Sequence, residues 1–63
     1  MREYQRMWLL SIRSFIKLSY FCKQLNIPNS NISNFIRFND RSISDDKINE
    51  LCSLIRSYLR DFA

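Results

Sequence analysis

The sequence predicts an all-α fold, and three observations favour it. The chain has 63 residues and no glycine, which is the residue that tight β-turns with positive φ use without strain. Apolar residues make up 46% of the chain, enough to build a core and too many for a disordered tail. They recur at helical spacing, and no linker, repeat or low-complexity tract interrupts them. We therefore expect a single domain over residues 1–63, built from four or five helices.

The first helix is predicted over residues 2–15. Its apolar stripe follows three- and four-residue steps and consists of Tyr4, Met7, Trp8, Ser11 and Phe15. Leu9 and Ile12 widen this stripe, so more than one side of the helix can be covered. We expect Phe15 to be a core residue, and we place the junction with the second helix at residues 17–19.

A short second helix and a tight turn are predicted next. The helix covers residues 18–25, and its buried face consists of Leu18, Phe21, Cys22 and Leu25. Asparagine is the commonest non-glycine residue at positive φ, so Asn26 is expected to end this helix in a left-handed turn. Pro28 lacks a backbone N–H and disfavours helical geometry in the residue before it, so the chain must bend there.

The third helix is predicted to begin near Asn29 or Ser30, because both are good N-caps. Its apolar face consists of Ile32, Phe35 and Ile36. It is expected to end near residues 38–39, where a polar turn begins. On the preceding helix, Tyr20 could reach a phosphate or cover the core, and we expect it to cover the core.

A long fourth helix is predicted from residue 45 to about residue 60. Ser44 is the expected N-cap, and two aspartates in the first turn place carboxylates at the positive end of the helix dipole. Ile43, just before the cap, can pack on Ile48 as a hydrophobic staple. The apolar face continues at helical spacing through Ile48, Leu51, Cys52, Ile55, Leu59 and Phe62.

The composition argues against an enzyme, a metalloprotein and a membrane span. There is no histidine, and the two cysteines, Cys22 and Cys52, lie 30 residues apart, which provides neither a general base nor a metal-ligand set. Both are expected to be small buried residues of a reduced, cytoplasmic protein. The longest apolar run, at residues 7–10, is far shorter than a membrane span. We expect a soluble chain with no cofactor and no small-molecule substrate.

Positive charge is concentrated in the first 38 residues. This part carries six basic side chains and one acidic one, a net charge of +5, whereas residues 39–63 carry four basic and five acidic side chains, a net charge of −1. A basic half of this kind can face a polyanion. The alternative is charge scattered over an ordinary protein surface. The charge asymmetry therefore indicates a polyanion partner only together with a binding motif.

The segment 18–37 meets the linked demands of a helix-turn-helix. Two helices that cross steeply at close range need a small side chain at their closest approach, and Cys22 provides one. The turn four residues later needs positive φ, which Asn26 tolerates. The second of the two helices then has a polar outer face, which consists of Asn29, Ser30, Asn31, Ser33, Asn34 and Arg37.

These residues carry a resemblance to a known family. Residues 18–37 read LSYFCKQLNIPNSNISNFIR and resemble the helix-turn-helix of the Cro and lambda-repressor (XRE-type) superfamily. The Ser-Asn-Ile-Ser-x-Phe run at residues 30–35 is similar to its recognition-helix signature, including that of its POU-specific-like bacterial members. The run at residues 43–48 is similar to the segment that opens its next helix. The resemblance implies a lambda-repressor-like bundle that binds double-stranded DNA, usually as a homodimer.

The resemblance also implies site residues. The family reads base edges at the positions of Asn29, Ser30 and Asn34, and Ser33 falls at the motif's common serine. The sequence departs from the family at four positions: Leu18 replaces a glutamine, Cys22 an alanine, Asn26 a glycine, and Ile36 a glutamate or leucine. The missing glutamine removes one expected DNA contact, whereas the cysteine and the asparagine fit the same geometry.

The chemistry of the segment favours DNA binding independently of the resemblance. Major-groove readout uses short amide or hydroxyl side chains, and asparagine suits N6 and N7 of adenine. Basic side chains contact phosphates, and four of them flank the proposed recognition helix: Lys17, Lys23, Arg37 and Arg41. Each polar or basic residue could instead be a cap or a solvated side chain. We predict sequence-specific DNA binding by a small transcriptional regulator.

The main alternative is a protein–protein interaction module that uses the same fold. Tyr58, Leu59 and Phe62 extend the apolar face of the last helix beyond what a four-helix core must bury, so they are the expected dimer interface or a surface for another partner. The first helix could also lie on a membrane surface, but we expect it to be needed to cover the other helices.

Overall fold

The computed structural model describes the backbone of residues 2–62 and the side chains of residues 2–61. This part of the chain contains four helices and no strand: α1 (Arg2–Ile12), α2 (Leu18–Gln24), α3 (Asn29–Phe38) and α4 (Asp45–Phe62). The predicted all-α class is confirmed for this region, with four helices rather than five. The helices enclose one core, and the molecule measures 32 × 22 × 21 Å along its principal axes.

The core lies where the helices meet. α1 and α2 each pack against both α3 and α4. The buried side chains are Leu9, Leu18, Phe21, Cys22, Ile27, Ile32, Phe35, Ile36, Ile43, Ile48, Leu51, Cys52 and Ile55. No polar or charged residue is buried among the described side chains, so the interior is held by apolar packing alone. Both cysteines are free and buried, as predicted.

The turn between α2 and α3 has the geometry that the sequence predicts. Asn26 has a φ of 58°, in the left-handed region. Its N–H donates to the Lys23 carbonyl (3.3 Å), and the Ile27 N–H donates to the Cys22 carbonyl (2.8 Å). This pair of bonds is the Schellman motif, in which a residue with positive φ satisfies the last carbonyls of a helix. Asn26 therefore takes the place that glycine usually occupies.

α3 begins at Asn29 and ends at Phe38, as predicted, but its cap differs from the prediction. The N-cap is Pro28, and neither Asn29 nor Ser30 makes a side-chain capping bond. The Pro28 carbonyl accepts hydrogen bonds from the N–H groups of Asn31 (3.0 Å) and Ile32 (3.2 Å), so the helix begins one residue earlier than an Asn29 cap would allow. Asn29 and Ser30 are therefore the first two residues of α3, and their side chains make no capping bond.

The start of α4 confirms the predicted cap. The Ser44 Oγ accepts a hydrogen bond from the Lys47 N–H (3.3 Å), and its carbonyl accepts one from Ile48. Ile43 and Ile48 flank the cap and are both buried in the core, as a hydrophobic staple requires. α4 then extends to Phe62, two residues beyond the predicted end.

The predictions for α1 are wrong in two respects. The helix ends at Ile12 and not at residue 15, so the junction with α2 lies at residues 13–17. Most of the predicted stripe is also exposed: Tyr4 is 66% exposed and Phe15, in the junction, is 83% exposed, whereas Trp8 packs against the core as predicted. The one fully buried residue of α1 is Leu9.

Two arginines of α1 donate hydrogen bonds to carbonyl groups of α3 and of the loop after it. The Arg2 guanidinium donates to the carbonyls of Asp40 (2.7 Å) and Ile43 (3.0 Å), and it lies 4.8 Å from the centre of the Phe35 ring. The Arg6 guanidinium donates to the Ile36 carbonyl (2.7 Å), in the last turn of α3. Helix ends leave such carbonyls without internal partners, and long amphipathic side chains can reach them while their stems cover apolar surface.

Candidate nucleic-acid interface

The outer side of α3 is a continuous polar surface. Its members are Asn29, Ser30, Ser33, Asn34 and Arg37, all of them exposed, and we call this set the α3 polar face. Their spacing places them on one side of the helix, opposite the buried residues Ile32, Phe35 and Ile36. The predicted base-reading residues therefore share one accessible surface.

The short side chains of the α3 polar face have no role in holding the fold. Within residues 2–61, the side chains of Asn29, Ser30, Ser33 and Asn34 make no hydrogen bond. Asn31, one position away, behaves differently: its amide donates to the Ser42 carbonyl (3.5 Å), and its own carbonyl accepts a bond from the Ser42 hydroxyl (3.4 Å). The polar residues of α3 are thus divided between a bracing side and a free outer side.

A groove runs between α2 and the beginning of α3. It has a volume of about 480 Å³ and is lined by Ser19, Tyr20, Lys23, Ile27, Pro28 and Asn29. The groove brings Lys23 next to Asn29, which are a predicted phosphate-contacting residue and a predicted base-reading residue. An anion lying in this groove would meet an ammonium, a hydroxyl and an amide group together.

Two residues of this groove were missed by the sequence analysis. Ser19 is exposed beside Leu18, the first residue of the motif, which is buried. Tyr20 was expected to cover the core, but it is 59% exposed. The helical period of α2 indicates that both side chains are exposed, because a buried face at Leu18 and Phe21 leaves positions 19, 20 and 23 on the outer side of the helix.

The loop between α3 and α4 carries Arg41 beside α3. The Asp40 carboxylate accepts hydrogen bonds from the Ser42 N–H (3.1 Å) and the Ser42 hydroxyl (2.7 Å), which fixes the turn around the exposed Arg41. Ser42 is in turn bonded to Asn31 of α3. In the last turn of α3, just before this loop, the Arg37 guanidinium lies 5.8 Å from the centre of the Phe38 ring. Arg37 of the α3 polar face and Arg41 of the loop that follows α3 are therefore both accessible.

The basic residues do not all lie on this surface. Arg2 and Arg6 are bonded to carbonyl groups inside the fold, and the Lys47 ammonium donates to the Leu25 carbonyl (3.2 Å) at the end of α2. The hydrogen bond with Arg6 lowers the pKa of the Glu3 carboxyl. Lys17 lies apart from Lys23, in a different groove. The positive charge seen in the sequence is thus split between structural and exposed roles.

The predicted dimer surface lies at the end of α4. Tyr58 is 39% exposed and Leu59 is 38% exposed, so both are accessible without being fully solvated. The side chain of Phe62, the third predicted interface residue, lies outside the described side chains. Tyr58 contacts Phe21 of α2, with ring centres 5.2 Å apart and an interplanar angle of 75°.

The remaining chemistry of the described residues is sparse. Burial raises the pKa of the Cys22 thiol to about 11, so this thiol is protonated and a weak nucleophile at neutral pH. Desolvation also raises the pKa of Cys52. Among residues 2–62, no three His, Cys, Asp or Glu side chains are grouped as metal ligands, and no helix has the length and apolarity to cross a bilayer.

Comparisons of this chain with protein-family models, with curated proteins and with solved structures found no match.

Proposed function

We propose that this protein binds double-stranded DNA sequence-specifically, as a small transcriptional regulator that acts as a homodimer and inserts α3 into the major groove. In this proposal α2, the turn and α3 form a helix-turn-helix of the Cro and lambda-repressor type. The observation that carries the proposal is the α3 polar face, where four short amide and hydroxyl side chains are exposed and make no hydrogen bond among residues 2–61.

A comparison with other asparagines supports this interpretation. Asn31, Asn39 and Asn49 each hydrogen-bond to another element: Asn31 to Ser42, Asn39 to Glu3 and Asn49 to Gln5. Asn29 and Asn34 make no such bond within the described side chains. Asparagine is a poor helix former, so two of them on the outside of a ten-residue helix lower its stability, and a ligand-binding role would explain why they are there.

The chemistry of these side chains suits base edges. A major groove about 12 Å wide admits one α-helix, and an asparagine amide can bond to both N6 and N7 of adenine. Serine hydroxyls donate to or accept from any base edge. Lys23, Arg37 and Arg41 would neutralise phosphates on either side of the groove and set the register of α3.

Selection of bound duplexes from a random pool tests this proposal. We expect the parent chain to enrich a two-part, approximately palindromic site. The double variant Ser30→Ala, Asn34→Ala should lose at least about tenfold in preference for that site over random duplexes, since each lost base contact costs about 1–3 kcal/mol. Its helix content should equal that of the parent, because neither side chain braces the fold.

A matched control lies on α4. Asn49 and Ser53 are an exposed asparagine and an exposed serine four residues apart, as Ser30 and Asn34 are, and because Asn49 accepts a bond from Gln5 this control also shows whether the loss of a surface bond alone changes the preference. Asn49→Ala, Ser53→Ala should keep the sequence preference of the parent. If the α3 and α4 double variants discriminate equally well, α3 does not read the bases.

Salt separates DNA binding from the protein-interaction alternative, which the exposed Tyr58 and Leu59 favour. Titrations of the selected duplex with the parent chain should be carried out at about 50 mM and at about 200 mM salt. The DNA affinity should fall about a thousandfold between these two concentrations if a dimer contacts six or more phosphates. Association through an apolar surface would scarcely change over this range.

A further inference from the structure

Three aromatic side chains form a ridge between α2 and α4. Tyr20, Phe21 and Tyr58 stack edge to face in that order, with both pairs of ring centres 5.2 Å apart. Phe21 is buried, whereas Tyr20 and Tyr58 are exposed at its two sides. We call these three residues the aromatic ridge. Aromatic groups that are rigidly packed and still accessible are typical anchors of protein interfaces.

A depression lies on each side of the aromatic ridge. One has a volume of about 430 Å³ and is lined by Phe15, Ile16 and Lys17 together with the ridge. The other has a volume of about 220 Å³ and is lined by Gln24, Leu54, Ser57 and Asp61 together with the ridge. A cationic side chain therefore lies beyond one side of the ridge, and a carboxylate lies beyond the other.

We propose that a second copy of this chain docks on the aromatic ridge with two-fold symmetry. Phe15 of each copy enters the smaller depression of the other, and Lys17 of each copy faces Asp61 of the partner subunit. This inference rests on the homodimer of the proposed function and names its interface. It keeps Tyr58 of the interface predicted from Tyr58, Leu59 and Phe62, and adds α2 and the α1–α2 junction to it.

Self-complementarity identifies the occupant. In a two-fold interface the same patch faces itself, so each feature on one side of the axis must fit a feature on the other side. This patch carries both halves of two such pairs: a projecting phenyl ring with a hollow, and an ammonium with a carboxylate. Two such pairs on one patch favour a second copy of the chain over a different partner. The apolar centre and charged edges also match the usual anatomy of interfaces.

The exposure of Phe15 strengthens the inference. It is 83% exposed in the junction between α1 and α2, although phenylalanine gains about 1.5–3 kcal/mol from burial. Its position does not follow from packing within one chain, because the adjacent Ile16 already contacts the core cluster. Burial in the hollow of a second copy would remove this side chain from water.

The interface is continuous with the proposed DNA surface. Tyr20 lines the groove that contains Lys23 and Asn29, and it also lines both depressions beside the aromatic ridge. Dimer contacts on one side of Tyr20 and DNA contacts on the other side would hold the two α3 helices in a fixed relation. That is the geometry a two-part DNA site requires.

Sedimentation of the full chain without DNA tests the interface. We expect the parent to dimerise at micromolar concentration and Phe15→Ser to raise the dimer Kd about a hundredfold, because two buried rings are lost per dimer. Tyr4→Ser is the matched control, since Tyr4 is also an exposed aromatic residue but lies on α1. It should leave the Kd unchanged. A parent that stays monomeric to about 100 µM, or a dimer indifferent to Phe15→Ser, overturns the proposal.

Charge reversal gives a second test that does not depend on the phenyl ring. Lys17→Asp and Asp61→Lys should each raise the dimer Kd at least about tenfold, because each converts two attractions per dimer into two repulsions. A mixture of the two variants should dimerise as well as the parent, since each new charge then meets its opposite. A mixture as weak as its components contradicts the Lys17–Asp61 pairing.

These outcomes separate the inference from the proposed function. A ridge-dependent dimer with no preference among duplexes would refute sequence-specific DNA binding and leave the interface standing. Sequence-specific binding by a chain that remains monomeric would refute the interface and leave the DNA proposal standing.

Discussion

α1 and α3 both place polar side chains around an apolar core, but these side chains have different roles. On α1 the guanidinium groups of Arg2 and Arg6 are directed at backbone carbonyls of α3 and of the loop that follows it. On α3 the short side chains of the α3 polar face are exposed and make no hydrogen bond among the described residues. The arginines of α1 thus hold the fold, whereas the short side chains of the α3 polar face are available to a ligand.

Residue type alone therefore does not reveal function. Arginine is the usual phosphate-binding residue, yet both arginines of α1 serve as donors to backbone groups. What decides their role is the presence of carbonyls without helical partners nearby. A surface is a better candidate for ligand binding where its polar groups have no such task.

The largest expected effect comes from the residue where the two helices meet. Phe35→Ala should reduce the free energy of unfolding by about 3–5 kcal/mol, because Phe35 is fully buried in α3 and also supports the Arg2 guanidinium. For a domain of this size, that loss would leave the chain largely unfolded. Circular dichroism during a thermal melt measures this effect.

The control for this variant is three residues further along the same helix. Phe38 is exposed, so Phe38→Ala should change the free energy of unfolding by less than about 0.5 kcal/mol. Equal effects of the two alanine variants would mean that α3 does not pack as described.

A smaller effect is expected when an arginine of α1 is replaced. Arg2→Met keeps an apolar stem but leaves the Asp40 and Ile43 carbonyls without their donor. We expect a loss of about 2 kcal/mol, measured by urea unfolding, because partly buried carbonyls remain unsatisfied. Arg13→Met is the matched control, since Arg13 is exposed in the junction after α1. If Arg2→Met were no more harmful than Arg13→Met, the contrast between α1 and α3 would disappear.

The smallest effect concerns the two asparagines at helix ends. Asn26 and Asn39 both have positive φ, at 58° and 52°, but only the Asn39 side chain joins another element, by donating to Glu3 (3.2 Å). Asn39→Gly should therefore lower Tm by more than Asn26→Gly, which relieves left-handed strain and breaks no side-chain bond among residues 2–61. The reverse order in calorimetry would show that the link from α3 to α1 is unimportant.

The parts of the fold that follow from local chemistry were predictable from the sequence. Ser44 caps α4, Asn26 ends α2 in a left-handed turn, and Cys22 is buried. Each of these features depends on residues only a few positions away in the sequence. The outward direction of Ser30 and Asn34 was predictable for the same reason, since one buried stripe fixes the opposite face of a helix.

The parts that depend on distant contacts were not predictable. The face of α1 is set by carbonyls more than 30 residues away, and nothing in the local pattern indicates that Arg2 should displace Tyr4 from the inner side. Pro28 takes the N-cap of α3 from two residues with better capping chemistry. Tyr20 was also mispredicted, because its aromatic character suggested burial and the short α2 has room for only one buried face.

The use of asparagine in both left-handed turns also affects the unfolded chain. Glycine loses more backbone freedom on folding than any other residue, and this chain contains none. Each position where glycine is avoided lowers the conformational entropy of the denatured ensemble, an effect of about 0.4–1 kcal/mol at sites without strain, which left-handed strain offsets in part at Asn26 and Asn39. A domain with so small a core thus gains part of its stability by restricting the ensemble from which it folds.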